Sequence, residues 1–197
     1  MSSRHLTPKK IIAIAVPLVI ALISYAQTQG WMGGAKTAVV QNQPGLYSID
    51  HFVDGDTIVV NMDGKKESIR MIGVDTPETH KPNSPVQCYG PAAAAYTKNL
   101  IGTNKVRLQA DSKSTNRDRY NRLLRYVYLP DGRMVETELI KNGYGFAYLD
   151  FPFDQSGDFA KYQAEAHAGA KGLWRNCNPY QLDSGRWQTE NATAQPQ

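Results

Sequence analysis

Cysteine is scarce in this chain of 197 residues: there are two, Cys88 and Cys177, with no CxxC pair and no nearby histidine at zinc-ligand spacing. That argues against a zinc site and leaves either one disulfide or two free thiols. Neither sign of charge is in large excess, with 22 basic and 18 acidic side chains. At 20% charged and 41% hydrophobic residues, the composition excludes a charge-rich disordered protein and points to a single core with extensions. No repeat of solenoid length is present. The N-terminal apolar run Ile11–Ala26 has only 16 residues and contains Pro17, short of the roughly 20 that a spanning helix needs.

What that run does have is a basic start at Arg4, Lys9 and Lys10 and a small-x-small ending, Ser24-Tyr25-Ala26. Residues 1–26 therefore read as a signal peptide or an uncleaved membrane anchor. Either sends the domain out of the cytoplasm, secreted, periplasmic or membrane-anchored, where a Cys88–Cys177 bridge would stabilise by about 4–5 kcal/mol in the chain-entropy model. The leader also changes the meaning of the net charge of +4 and the pI near 9.0. It supplies three positive charges and no acid, so the remainder carries only +1 and bulk charge says little about its partner. Residues 27–45, rich in Gln and Gly, read as a linker with folding starting near Gly45. Residues 46–176 form the expected domain, and residues 177–197 a C-terminal tail that is polar and frayed from Gln188.

Within the domain, Asp56–Met62 is β-branched, Asp63-Gly64 favours a two-residue hairpin turn, and Ser68–Val74 is the return strand. Lys105–Asp111 alternates, with Val106, Leu108 and Ala110 on one face, and Leu123–Leu129 is a further strand closed by Pro130-Asp131-Gly132. Three helices are punctuated by their ends: Gly90-Pro91 to Gly102, Met134–Asn142 before Gly143, and Asp158–Lys171 before Gly172, the last with Phe159, Tyr162, Ala166 and Ala170 on one face. About five strands with three helices predict an α+β fold, with barrel closure removing the exposed sheet edges.

The polar residues that stand out lie at strand ends and turns, where sites usually form. Asp54-Gly55-Asp56-Thr57 precedes one strand of the hairpin, and Asp75-Thr76-Pro77-Glu78 follows the other. Four acids without cysteine suit a hard cation such as calcium or magnesium. Arg70 and the run Arg117, Arg119 and Arg122 add planar donors that match phosphate oxygens, so the combination points to a phosphodiester. A five-residue offset along a strand would turn Arg70 and Asp75 to opposite faces unless the strand ends between them. His51, His80 and His167 read as surface or packing residues, since this chemistry does not ask for an imidazole.

The ordered segments Val53-Asp54-Gly55-Asp56-Thr57, Arg70-Met71-Ile72-Gly73-Val74-Asp75-Thr76-Pro77-Glu78, Tyr89-Gly90, Asp118-Arg119-Tyr120-Asn121-Arg122-Leu123-Leu124 and Asp131-Gly132-Arg133-Met134-Val135 resemble the thermonucleases, the staphylococcal-nuclease-like family of calcium-dependent secreted nucleases. The resemblance runs from about Tyr47 to Trp174. It implies an OB-fold-like five-stranded barrel, a monomer, and hydrolysis of DNA and RNA to 3′-phosphate products, with membrane contact only if the leader is retained. Carried onto this sequence, it implies calcium held by Asp56, Asp75 and the Thr76 carbonyl, Glu78 as general base, and Arg70 and Arg122 on the phosphate. Arg119, Tyr120 and Tyr148 would line the nucleotide pocket. Asn121 stands where the family has glycine, a mild change because Asn tolerates the left-handed region. Asp150 replaces a pocket tyrosine and adds negative charge, and Leu123 and Arg125 replace small residues that border the approach to the site.

Overall fold

The computed structural model describes residues 42–79 and 85–192. The expected leader, most of the expected linker, residues 80–84 (His80 included) and the last five residues lie outside them. Five strands close into a barrel in the order β1-β2-β3-β6-β5: β1 (Asn42–Phe52), β2 (Thr57–Met62), β3 (Lys65–Met71), β5 (Val106–Gln109) and β6 (Leu123–Tyr128). β1 pairs with β2 at its C-terminal half and with β5 at its N-terminal half, and register shifts at Ile49/His51 and Gln43/Leu46 bend it from one neighbour to the other. Antiparallel pairs make four of the seams, and the parallel pair β3–β6 makes the fifth.

The hairpin turn is where the sequence places it. Asp63 and Gly64 both have positive φ, 52° and 83°, the conformation that matches the twist of the flanking strands. β5 alternates as expected, with Val106 and Leu108 buried and Arg107 and Gln109 exposed. The barrel interior and the layer beneath the helices form one cluster that includes Ile58, Val60, Ile69, Met71, Val106, Leu108 and Val127. Burying each such side chain contributes roughly 1.5–3 kcal/mol. β2 is buried at four consecutive residues, Thr57 to Val60, because both of its faces are covered at that end.

The helices are α1 (Gly90–Ile101), α2 (Val135–Lys141), α3 (Ser156–Ala168) and a four-residue turn, α4 (Leu173–Asn176). Pro91 starts α1 and Gly102 stops it. α3 buries Phe159 and Ala166, but it ends at Ala168, and Ala170 is an exposed residue with φ 47° rather than part of the helix face. No helix among the described residues is long and apolar enough to cross a membrane.

Two boundaries differ from the sequence reading. β1 begins at Asn42, inside the expected linker, because its hydrogen-bond partners on β5 and β2 compensate for a composition with little strand preference. Residues 178–192, expected as tail, instead carry the antiparallel pair β8 (Tyr180–Gln181) and β9 (Trp187–Gln188) and dock on the domain. The Cys88–Cys177 disulfide ties the start of this segment to the residues before α1. Beyond it, Cys88 N–H donates to the Glu190 carbonyl at 2.8 Å, the buried Thr189 hydroxyl donates to the Cys88 carbonyl at 2.9 Å, and Trp187 packs across Trp174 at 4.9 Å. His167 stacks on Trp174 at 4.2 Å, which is a packing role.

Candidate active site

β3 ends at Met71, and Ile72-Gly73 turns the chain into the two-residue strand β4 (Val74–Asp75), paired with β7 (Phe146–Ala147). That break resolves the offset between Arg70 and Asp75. The Arg70 guanidinium lies 2.9 Å from Asp56 Oδ2 and 2.8 Å from Asp75 Oδ1. It also donates to the Val74 carbonyl at 2.7 Å. The Arg70 side chain is 13% exposed and that of Asp56 7%, whereas Asp75 keeps 39% exposure toward solvent.

Gly55 makes the meeting of the two acidic segments possible. A Cβ there would lie 2.8 Å from the Thr76 side chain, so only glycine lets the Asp54–Asp56 turn approach Thr76. The approach is fixed by the Thr76 N–H donating to Asp56 Oδ2 at 2.8 Å. From the other side, Thr97 on α1, fully buried, donates its hydroxyl to the Gly55 carbonyl at 2.6 Å. Asp54 Oδ1 accepts the Asp56 N–H, and Asp56 Oδ1 accepts the Thr57 hydroxyl.

Three carboxylates thus lie around one arginine, and burial raises the pKa of two of them, Asp54 and Asp75. Desolvation pushes Asp54 up to about 7, with the neighbouring Asp56 charge adding to it. Asp75 is pushed up by desolvation to about 6 against the opposing pull of Arg70. Burial alone would lower the Arg70 guanidinium, but Asp56, Asp75 and Asp54 outweigh it and hold it above its ordinary value. An all-oxygen donor set with excess negative charge suits a hard divalent cation. The fit is partial in geometry: among the described residues Asp54, Asp56 and Asp75 do not bring three ligand oxygens within 4.8 Å of one another, which leaves room for main-chain oxygen or water. The group that does converge so closely, Cys88, Cys177 and Glu190, offers no thiolate because its sulfurs form the disulfide.

Glu78 sits three residues beyond Asp75 and is clasped by Gln87, which accepts the Glu78 N–H at 2.7 Å and donates its own N–H to the Glu78 carbonyl at 2.9 Å. Its carboxylate accepts the Thr79 N–H at 3.0 Å. The start of α1 fits against this turn, since a Cβ at Gly90 would meet the Glu78 carbonyl at 2.7 Å.

Arg122 enters from the loop before β6. Asp118 Oδ2 accepts its Nε and Nη2 at 2.7 Å, and Nη1 reaches the Thr57 hydroxyl at 3.4 Å. The turn depends on Asn121, with φ 64°. Tyr120, 65% exposed, lies beneath both Arg119 and Arg122, whose guanidinium carbons are 4.8 and 5.3 Å from its ring centre. Arg117 is directed elsewhere: it pairs with Glu67 on β3 at 2.9 Å, so it is not one of the cations near Arg70. Arg125 does not line the approach. It is fully buried and donates to the Asn116 carbonyl and side-chain oxygen, bracing the loop that carries Arg122.

Tyr148 is tied by its N–H to the Gly73 carbonyl and packs edge-on against Phe151. Asp150, expected to add uncompensated negative charge, pairs with Arg186 at 3.5 Å. Sequence reasoning missed Arg186, Gln87 and Thr97, for which no local signal exists. It also left Gly55 without a role, although a glycine between two acids was the available clue.

Two guanidinium groups beside the buried Asp56 and the partly exposed Asp75 can hold a tetrahedral oxyanion, and Glu78 nearby can accept a proton. The comparisons agree with that chemistry. The description "staphylococcal nuclease homologue" matches residues 68–176. The chain is 37% identical to the thermonuclease of Staphylococcus hyicus over 175 residues, 88% of this chain and 99% of that one. It is 38% identical to the thermonuclease of Staphylococcus intermedius over 145 residues, 74% and 83% of the two chains, and 41% identical to endonuclease YncB of Bacillus subtilis over 154 residues, 76% and 71%. The family match and these nuclease relatives make the protein a hydrolase of phosphodiesters, with nucleic acid as its substrate. The chain belongs to the staphylococcal nuclease family.

Proposed function

We propose that this nuclease is calcium-dependent, is exported, and cleaves DNA and RNA to leave the phosphate on the 3′ side. The observation that carries the reading is Arg70 bridging Asp56 and Asp75 while Arg122 reaches Thr57, the residue after Asp56. Asp56, Asp75 and the Thr76 carbonyl would hold the cation, with Asp54 in support. When bound there, calcium would supply positive charge to the phosphoryl oxygens and help orient the phosphate.

The side chains divide the remaining work. Glu78, held by Gln87, takes a proton from the attacking water as the water oxygen bonds to phosphorus, and the P–O5′ bond breaks with the departing 5′ oxygen taking a proton from solvent to leave as a hydroxyl. Arg70 and Arg122 direct N–H groups at the phosphoryl oxygens, where charge grows in the five-coordinate transition state. Arg70 exchanges part of its contact with Asp75 for the substrate, and Arg122 keeps Asp118 as its anchor. Tyr120 and Tyr148 offer ring faces to bases, and Arg119 lies over Tyr120. A positioned base contributes about 10²–10⁴-fold, so the two arginines and the cation supply much of the rest.

Purified protein should degrade DNA and RNA with calcium present and stop when a chelator is added, and its products should carry 3′-phosphates. Glu78→Gln should lower kcat by about 10²–10⁴-fold with the melting temperature unchanged. Full activity in that variant would remove Glu78 from the reaction, and activity indifferent to chelation would remove the cation.

A further inference from the structure

The segment 178–192 lies beyond the residues that match the family description, yet it forms a wall of the cleft that holds Asp75 and Glu78. That cleft has a volume of about 280 Å³, with Asp75, Thr76 and Glu78 on one side and Leu182, Arg186 and Gln188 on the other. The wall is firmly held. The disulfide fixes one end, main-chain and hydroxyl hydrogen bonds to Cys88 fix the other, and Trp187, adjacent to Arg186, is packed among Phe146 and Trp174.

Arg186 itself is loosely engaged. Its side chain is 42% exposed, its ion pair with the partly exposed Asp150 spans 3.5 Å, and its contact with the Tyr148 hydroxyl is also 3.5 Å. Its guanidinium carbon stands 5.7 Å from the centre of the Tyr148 ring. Ion pairs of that exposure and length add little to stability, so a structural role accounts poorly for a guanidinium set on a rigid hairpin at the mouth of the cleft. Its planar donors match a phosphate better than a single carboxylate oxygen at 3.5 Å. With Arg186 present, Asp150 no longer repels a polyanion from this side.

We propose that Arg186 is a substrate-binding residue that holds a backbone phosphate of the nucleic-acid strand next to the one being cleaved. The inference rests on the nuclease reading of the Asp75–Glu78 side of the cleft. Arg70 and Arg122 serve the reacting phosphate from the barrel, and Arg186 serves its neighbour from the hairpin. The enzyme thereby favours strands over isolated nucleotides.

The test is binding of a fluorescent single-stranded phosphorothioate dodecamer, which keeps the backbone charge and resists hydrolysis, to the full-length protein at several salt concentrations. Arg186→Ala should weaken binding about tenfold at physiological salt and reduce the slope of log K against log salt by about 0.7, the value for one phosphate contact on a single strand. Arg186→Lys should keep the slope and recover most of the affinity. On cleavable DNA, Arg186→Ala should raise KM by a similar factor with kcat unchanged. An unchanged affinity and slope in Arg186→Ala overturns the proposal. So does a loss of affinity at constant slope accompanied by a lower melting temperature, which would mark a structural residue. If the wild type cleaves DNA but the slope does not move, this inference alone fails. If the dodecamer result holds and no DNA is hydrolysed, the nuclease reading of the site fails and the phosphate contact stands.

Discussion

Replacing Arg70 with alanine should destabilise the protein strongly in the absence of a divalent cation, and much less in its presence. The side chain is 13% exposed and faces Asp56 and Asp75 at 2.9 and 2.8 Å, with the Val74 carbonyl as a further acceptor. Removing one partner of a buried ion pair typically costs about 3–5 kcal/mol, because the charge left behind has no compensation. The 39% exposure of Asp75 allows solvent to screen that side, so about 3 kcal/mol is the appropriate expectation. For a domain of this size that corresponds to a melting temperature lower by about 6–12 °C. The assay is a thermal melt followed by circular dichroism at pH 7.5, first in chelator and then in millimolar calcium. Calcium should raise the melting temperature of the variant by more than that of the wild type, since the cation is then the main counter-charge for Asp56 and Asp75. A shift below about 3 °C in chelator would mean that the carboxylates do not depend on Arg70. Equal gains from calcium in both proteins would mean that the cation does not bind at these carboxylates.

Two further outcomes follow from charge and covalent structure. Asp54 and Asp75 stand at about 7 and about 6 in the folded protein, and the fully buried Glu136 is pushed up by desolvation to about 8, although both of its oxygens accept the Val127 N–H. All three exceed their unfolded values near 4, so the folded state binds more protons, and stability in chelator should fall as the pH rises from 5 to 8. Calcium should remove the part due to the aspartates, Glu136→Gln should remove the part due to the buried glutamate, and a melting temperature that rises over this interval would refute the assignment. Replacing both cysteines by serine opens a loop of 89 residues, which lowers stability by about 4–5 kcal/mol in the chain-entropy model. Limited proteolysis should then cut within residues 178–192 before the barrel, and simultaneous loss of both would show that the hairpin does not depend on the bridge.

The parts of the fold that were legible in the sequence are those decided by a few adjacent residues. Asp63-Gly64 turns because both positions reach positive φ, Val106–Gln109 alternates because one face meets the core, and Pro91 and Gly102 bound α1. The elements that were not legible depend on distant partners. Nothing in the local composition around Asn42 favours a strand, yet β5 offers this end of β1 a ladder from Asn42 to Tyr47. The polar segment 178–192 has little apolar content of its own and is held largely by Cys88 and Phe146, both far away in sequence, with the nearer Trp174 packing on Trp187. Trp187 was its one hint. Among the site residues, the acidic and arginine positions stood out by type. Their selection did not, because Arg117 and Arg122 differ only in which acid each one finds, Glu67 or Asp118.

That pairing bears on how a nearly neutral domain attracts a polyanion. Outside residues 1–26 the chain carries a net charge of only +1, and many of its cations are already opposed: Lys113 by Asp154, Arg117 by Glu67, Arg133 by Asp131. Diffuse attraction from such a surface is weak and readily screened by salt. Arg70 and Arg122 are opposed as well, but their acids differ in kind. Asp56 and Asp75 belong to the set that suits a divalent cation, so filling that site would turn a local excess of negative charge toward neutrality and return Arg70 to the substrate. Asp118 stays with Arg122 and fixes its direction through Nε and Nη2, leaving Nη1 pointed at Thr57. Under the proposed mechanism, the positive potential that a nucleic acid meets is therefore switched on at one place by the cation, and it does not reside in the protein's overall charge.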